Sequence, residues 1–484
     1  MSTVPPVPAT PERRGVGGDV AVYGLSAAIG QGVAVVAVPL YARWLGPSEF
    51  GVVELLTVLS SLIVTGAGDS LSNALQKLWF DADEQHDRGR ILPTAVLIGG
   101  LVALAAGVVA LVIGLATDVS WQRALAVASL SSVVTVVARI GAEQFRAASR
   151  PWPYFLAMCV RSVVGAGIAL ALVSRYDASA TSVFAGLTIG SLAAVVVAPP
   201  TGAGRARKRP DREIGRELVR LAAPLTPVAL AGWSVMLMDR FVVAHYEPLS
   251  EVGVYGLANR MTSVLLLVIY AFGTAWMPFA LRRVSTAPAG EQADRVRALR
   301  YVTAAVGVVA VGLCVIFPPL LGLVVGPGYA EAGDLLPALS MAFVLLASVS
   351  ITQVPLLAAG RASEMAVLSL VSAGVNLAAT LILVPAMGIQ GAAIATLIGF
   401  GSQAVLYLWR AERASPSGGA VSACVRGWGV VGLCLAAVGR LQAIHHEPWA
   451  VALIVACPIL LWLVGVIGRE DLRIVRPRSR STAA

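Results

Sequence analysis

Lysine is nearly absent from this chain: of 36 basic residues only Lys77 and Lys208 are lysines. Charge of either sign is scarce, with Asp, Glu, Lys and Arg making up 13% of 484 residues, about half the roughly 25% of a globular domain. Polar surface on that scale cannot cover a chain that is 57% hydrophobic, so a string of soluble domains is excluded. Disorder and collagen are excluded by the same composition. The five cysteines all fall in apolar stretches, with no CxxC and no Cys/His cluster, so neither a disulfide framework nor a zinc site is indicated. Nothing reads as a cleavable signal or a nucleotide-binding motif. Residues 1–18 read as a Pro-rich tail carrying Arg13 and Arg14, followed at once by an apolar run.

What is abundant is apolar runs of spanning length, roughly 20 residues each. Fourteen can be counted, the first near 20–43 and the last near 449–468. The fold class expected is an all-α polytopic membrane protein. The loops alternate in basic charge. One set holds Arg13/Arg14, Lys77/Arg88/Arg90, Arg146/Arg150, the run from Arg205 to Arg216, Arg282 to Arg300, Arg361, Arg410/Arg413 and the tail from Arg469. The other holds only Arg43, Arg123, Arg175 and Arg440. The positive-inside rule then places both termini in the cytoplasm, and makes the +9 net charge a matter of orientation, not of nucleic-acid binding. The loops of the other face are short and leave no room for a catalytic domain outside.

A repeat is visible. Ser48-Glu49-x-Gly51-Val52 matches Ser250-Glu251-x-Gly253-Val254 at an offset of 202 residues. Six spans intervene, so the copies run in the same direction. The expected organisation is an N-lobe of six helices (19–200), a basic cytoplasmic linker (201–216), a C-lobe of six helices (217–410), two further helices (411–468) and a basic tail (469–484). The linker should lie on the membrane surface, near anionic lipid.

Several stretches carry a resemblance. Pro39-Leu40 through Arg43, Gly46-Pro47-x-Glu49 and Gly51 resembles the first hairpin of bacterial Wzx-type polysaccharide flippases, members of the multidrug/oligosaccharidyl-lipid/polysaccharide exporter superfamily. Trp79 to Glu84 with Arg88, Ala223-Pro224-Leu225, Gly232-Trp233, Asp239-Arg240, Val252 to Arg260, Trp276-x-Pro278-Phe279 and Gly388-x-x-Gly391 to Thr396 follow in that family's order. The resemblance implies a MATE-like fold and translocation of a lipid-linked oligosaccharide. It implies glycosyltransferases and a polymerase as pathway partners, and no organic cofactor.

An ionisable residue inside a spanning helix is costly unless it faces a polar cavity or a partner. Such residues are Glu54, Asp69, Arg139, Glu143, Arg161, Asp239, Arg240 and Arg260, with Arg43 at a helix end. At 1.5 Å per residue, Arg260 lies roughly 12–14 Å below the outer end of its span and Arg161 roughly 12 Å above the inner end of its own. With Arg139 nearer the cytoplasm, the arginines can form a ladder along a cavity, and guanidinium forks suit a pyrophosphate. Structural readings stand beside this one. Arg139 and Glu143 are spaced to pair within one helix, Arg240 can pair with a neighbour or reach outward, and Arg43 can be an interface residue. Asp69 either lines the path or makes a contact among small residues. Asp239, Asn376, Thr380 and Thr396 are oxygen-bearing side chains which, by the resemblance, can hold a coupling ion, H+ or Na+; interhelical hydrogen bonds are the alternative. Four functions compete: a flippase, a drug–cation exporter, a membrane polymerase or glycosyltransferase, and a transport-inactive scaffold. The arginine-rich interior favours the first.

Overall fold

The computed structural model describes residues 16–81, 88–117, 119–199, 209–443 and 447–466. The N-terminal Pro-rich residues with Arg13 and Arg14, the basic run from Arg205 to Lys208, His445, His446 and the basic tail from Arg469 lie outside the described residues. The order is α1 (Val16–Val64), a π-helical turn (Thr65–Asp69), α2 (Ser70–Asp81), α3 (Arg88–Ala116), α4 (Gln122–Ala147), α5 (Pro151–Arg175) and α6 (Ala180–Val197). Then come α7 (Arg212–Ala222), α8 (Thr226–Leu237), α9 (Asp239–Tyr246), α10 (Leu249–Thr262), α11 (Leu265–Thr286) and α12 (Pro288–Val324). A short 3-10 turn (Pro327–Tyr329) precedes α13 (Ala332–Ala358), α14 (Ala362–Ala414), α15 (Ala420–Ala443) and α16 (Glu447–Leu463).

Ten helical stretches among the described residues are long and apolar enough to cross a membrane. Two of them are hairpins. α1 is broken at Gly46 (φ 72°, ψ 168°) and α14 at Gly388 (φ 59°, ψ −137°), conformations open to glycine. Gly30 and Val64, like Tyr41 and Val53, line one cavity from the two arms of α1. In α14, Gly399 packs on Asn376 and Gly391 on the Leu383 carbonyl. With α8–α9 and the shorter α16, each of the fourteen apolar runs has a helical counterpart. Much of α3 (Leu101, Leu104, Val108, Val112) is exposed and apolar, as a lipid-facing helix must be.

One stretch departs from the expected outline. The apolar run 218–245 is not one helix. Ala223–Leu225 form a turn, and α7 is a separate amphipathic helix with Leu218 buried and Arg212, Arg216 and Arg220 exposed. It packs on α2 and α3. Asp211 caps it, accepting from the Glu213 and Ile214 amides, and its carboxylate takes Arg90 at 2.7 Å. The Arg90 hydrogen bond, helped by those amides, holds the Asp211 carboxyl below its ordinary range.

The repeat is reproduced in three dimensions. A methyl on Gly51 would overlap the Leu249 carbonyl oxygen, and a methyl on Gly253 would overlap the Pro47 carbonyl oxygen. Pro47 and Leu249 are themselves related by the 202-residue offset. This is the reciprocal contact of two elements crossing on a two-fold axis. The lobes therefore meet through bare backbone where α1 crosses α10. Nearby, Phe50 stacks edge-on against Tyr329 (6.1 Å), and the Tyr329 hydroxyl donates to the Ala42 carbonyl at 3.0 Å. Replacing Gly51 or Gly253 by alanine forces backbone apart, and overpacking of this kind costs about 1–3 kcal/mol or more. Gly312→Ala, whose added carbon meets nothing within 4 Å, serves as control. Thermal unfolding in detergent should show the first two destabilised and the third unchanged.

Candidate functional site

The inner-facing polar residues are not spread evenly over the spans. Three of them sit beside interruptions in the helices. Asp69 closes the π-helical turn, Asp239 opens α9 after the break at Met238, and Arg260 is in the last turn of α10 before the break at Ser263 and Val264. Interrupted helices present unpaired backbone and polar side chains within a bundle, which is how many transporters build sites.

A cavity of about 400 Å³ lies between both arms of α1 and α4, α5 and α6. Arg139, Arg161 and Arg260 all reach its wall, and so does Glu54. Hydroxyls supply most of the rest of its polarity: Thr57, Ser60, Ser61, Ser131, Ser132, Thr135, Ser162 and Ser191. Three of the five arginines proposed from sequence thus share one wall.

Two do not. Arg43 is exposed and donates to the carbonyls of Leu323 (3.5 Å) and Val324 (3.3 Å) at the end of α12. There it satisfies orphan carbonyls and the helix dipole, which corrects its expected place in the ladder. Arg240 is 3% exposed and sits behind the cavity, between two carboxylates.

The ion pairs also differ from the in-helix expectation. Arg139 does not pair with Glu143; it reaches across to Asp69 on the π-helical turn, at 2.6 Å. Glu143 takes Gln76 (2.9 Å) and Arg146 (3.5 Å) instead. Arg260 has no acid three or four residues away on its own helix, but Glu54 from the other lobe accepts from its Nε at 2.9 Å. The second oxygen of Glu54 lies 3.4 Å from Arg240 Nε. Glu54 itself is 1% exposed. Arg161 makes no ion pair among the described residues, and its buried Nε has no hydrogen-bond partner.

Glu54 has room because the repeat is broken at one position. Its equivalent at the 202-residue offset is Gly256, and a methyl there would overlap the Glu54 side chain. One lobe supplies the carboxylate and the other the vacancy.

Asp239 and Arg240 are adjacent, and neighbours on a regular helix point apart. Both open α9, and the long Arg240 side chain folds back to reach its neighbour. Arg240 Nη1 donates to Asp239 Oδ1 at 3.2 Å and to the Met236 carbonyl at 3.2 Å. The other Asp239 oxygen accepts from the Tyr255 hydroxyl, which also meets Thr396 Oγ1 at 3.2 Å. Asp239, Asn376 and Thr380 border a smaller pocket of about 180 Å³ between α8, α9 and α14. Asn376 donates to the Ala395 carbonyl at 3.1 Å, and the Thr380 and Thr396 hydroxyls donate to carbonyls on their own helix. Asp69 borders neither cavity. Tyr255, which joins Asp239 to Thr396, was not singled out from sequence; it lies within the Val252–Arg260 stretch, and its hydroxyl had no predictable partner.

Residues 16–284 match the family described as polysaccharide biosynthesis protein, more than half of the chain. The chain belongs to that family. It is 23% identical over 391 residues to the probable low-salt glycan biosynthesis flippase Agl15 of Haloferax volcanii, covering 78% of this chain and 79% of that protein. Its fold is similar to that of the lipid II flippase MurJ in an inward closed conformation, with a TM-score of 0.71, 14% identity, and coverage of 94% of this chain and 100% of that one. It is also similar to an inward-facing multidrug resistance MATE transporter, with a TM-score of 0.57, 15% identity, and coverage of 80% of this chain and 95% of that one. The protein is thus a multi-pass membrane protein with the two-lobed fold shared by MurJ and MATE transporters.

Removing Glu54 leaves Arg240 buried with one acid and Arg260 with none. Breaking a buried pair by deleting one partner typically costs about 3–5 kcal/mol. Glu54→Gln should therefore lower the unfolding temperature far more than Asp69→Asn, whose pair is about a third exposed and is worth about 0–1 kcal/mol. Parallel scanning fluorimetry of the two variants checks this.

Proposed function

We propose that the protein is a flippase that moves an undecaprenyl-pyrophosphate-linked oligosaccharide across the cytoplasmic membrane for cell-surface polysaccharide synthesis, by rocking its two lobes around the central cavity. Membership of the polysaccharide biosynthesis family, the glycan-flippase name of the archaeal relative and the fold held in common with a lipid II flippase support a lipid-linked glycan as the substrate class.

The observation that carries the reading is the cavity wall: three guanidinium groups among eight hydroxyls. Arg161 is the cation to meet a diphosphate first, because no acid among the described residues pairs with it. Arg260 follows if the anion outcompetes Glu54, and Arg139 if it outcompetes Asp69. The serine and threonine hydroxyls suit sugar hydroxyls, and the polyprenyl tail stays in the bilayer. With the orientation given by the arginine distribution, the Gly51–Gly253 crossing closes the outer side. Glycosyltransferases and a polymerase are the expected partners.

A drug–cation exporter needs negative charge facing its cavity. Here the one carboxylate on the wall is shared by two arginines, which weighs against that reading. A coupling cation, H+ or Na+, fits the side chains around the smaller pocket, where Asp239 would hold it with Asn376 and Thr380 beside it. Both Asp239 oxygens are already engaged, so a metal ion entering there must displace Arg240 or Tyr255.

Arg161→Ala and Arg260→Ala should each abolish export of the lipid-linked glycan while the protein remains folded in the membrane. Glycan at the cell surface, with membrane abundance as control, is the measurement; wild-type export by both variants sinks the proposal. Asp239→Asn should make transport indifferent to the coupling ion in proteoliposomes. Glycosyl transfer by the purified protein alone would return it to the enzymes.

A further inference from the structure

We propose that Arg240 is a positioning residue that ties the anion affinity of Arg260 to the charge on Asp239. This rests on the reading of Arg260 as a phosphate ligand, and it adds the regulation of that ligand from outside the cavity.

Four charged groups form one chain across the lobe interface: Asp239, Arg240, Glu54, Arg260. Two acids face two bases, so the chain is neutral. Its links are unequal. Arg240 Nη1 is hydrogen-bonded to Asp239 at 3.2 Å. Towards Glu54, Arg240 offers Nε at 3.4 Å, but that nitrogen is buried and makes no hydrogen bond. At the far end Glu54 is hydrogen-bonded to Arg260 at 2.9 Å. A buried donor without an acceptor is costly, so Arg240 is held back from Glu54 by its bonds to Asp239 and to the Met236 carbonyl, of which the Asp239 bond is the charged one.

Removing the negative charge of Asp239 releases that restraint. Arg240 is then left with Glu54 as its one acid, and its unspent Nε closes on the carboxylate. It does so over the face of the Tyr255 ring, whose centroid lies 5.7 Å from the guanidinium carbon. Glu54 holds Arg260 less firmly, and Arg260, 30% exposed at the cavity wall, is freer to bind an anion. Linkage makes the effect reciprocal. An anion that draws Arg260 away from Glu54 leaves that carboxylate to Arg240, loosens Arg240 from Asp239, and opens Asp239 to a cation.

The test measures binding of inorganic pyrophosphate to the purified full-length protein in detergent, at one pH and in choline chloride. Arg260→Ala should weaken binding. Asp239→Asn should tighten it, roughly tenfold within the 5–150-fold range of coupled sites. Arg240→Gln should weaken it, since Glu54 is then left wholly to Arg260. Adding Asp239→Asn to Arg240→Gln should change nothing further, because the conduit is gone. Arg240→Lys, which keeps the charge but not the fork, should restore only part of the response.

Unchanged or weaker binding by Asp239→Asn overturns the proposal, and so does equal tightening in the Arg240→Gln background. If Asp239→Asn does not fold, unchanged or tighter binding by Arg240→Gln overturns it. If Arg260→Ala binds pyrophosphate as the wild type does, it is the phosphate reading itself that fails.

Discussion

A single carboxylate, Glu54, holds the two lobes to a common electrostatic arrangement. It is buried where α1 crosses α10, one turn beyond the point at which Gly51 and Gly253 bring the two backbones together. An isolated charge at that depth would be prohibitive. Two arginines from the opposite lobe make it tolerable, and Asp239 shares with it the charge of the more buried one, Arg240. The contact can form in this way at one position alone. Two equivalent residues beside a two-fold axis compete for the same space, and here Gly256 gives up its side chain so that Glu54 can have one.

The backbone is therefore symmetric where the lobes touch, and the chemistry is not. The offset that relates Gly51 to Gly253 relates Arg260 to Val58 and Arg240 to Val38. The N-lobe wall carries the hydroxyls, with Arg139 and Arg161. The smaller pocket between α8, α9 and α14 belongs to the C-lobe and has one carboxylate, one amide and two hydroxyls, those of Ser234 and Thr380, among its edges. A pair of lobes that had kept both sets in both copies would place like charges close together at the axis. Divergence of the repeat separates a wall of guanidinium groups and hydroxyls from a pocket edged by a carboxylate, and leaves the interface to connect them.

Much of this was legible in the sequence. Fourteen apolar runs and the 202-residue repeat follow from composition and pattern, because a bilayer demands long apolar helices and a duplication leaves short matches at its tightest contact. The convergence of Arg139, Arg161 and Arg260 followed from their depths. Partners across the lobe interface did not follow. Nothing local marks Glu54 as the acid for Arg260, which lies 206 residues away. Pro224 lies in the turn that ends α7, inside the apolar run 218–245, so a run counted by hydropathy alone overstated the length of the seventh span, and the breaks at Met238 and at Ser263–Val264 carry no proline or glycine to mark them. Arg43 was misplaced for a related reason: the carbonyls it caps belong to α12, 280 residues further on.

The near absence of lysine acquires a meaning at this interface. A lysine is a compact point charge on a flexible stem, whereas a guanidinium presents separate donors in a fixed plane. Arg240 uses that plane, with Nη1 towards Asp239 and Nε towards Glu54. A residue so placed has two states distinguished by which donor is satisfied, and passing from one to the other requires little movement of the backbone. An ammonium group would have to leave one acid before reaching the other. The same geometry serves at the cavity wall, where a planar fork can exchange a carboxylate for a phosphate without changing the form of the bond. In the proposed flippase, arginine supplies both the ligand and the link behind it, and the strength of each is set by how Glu54 divides itself between them.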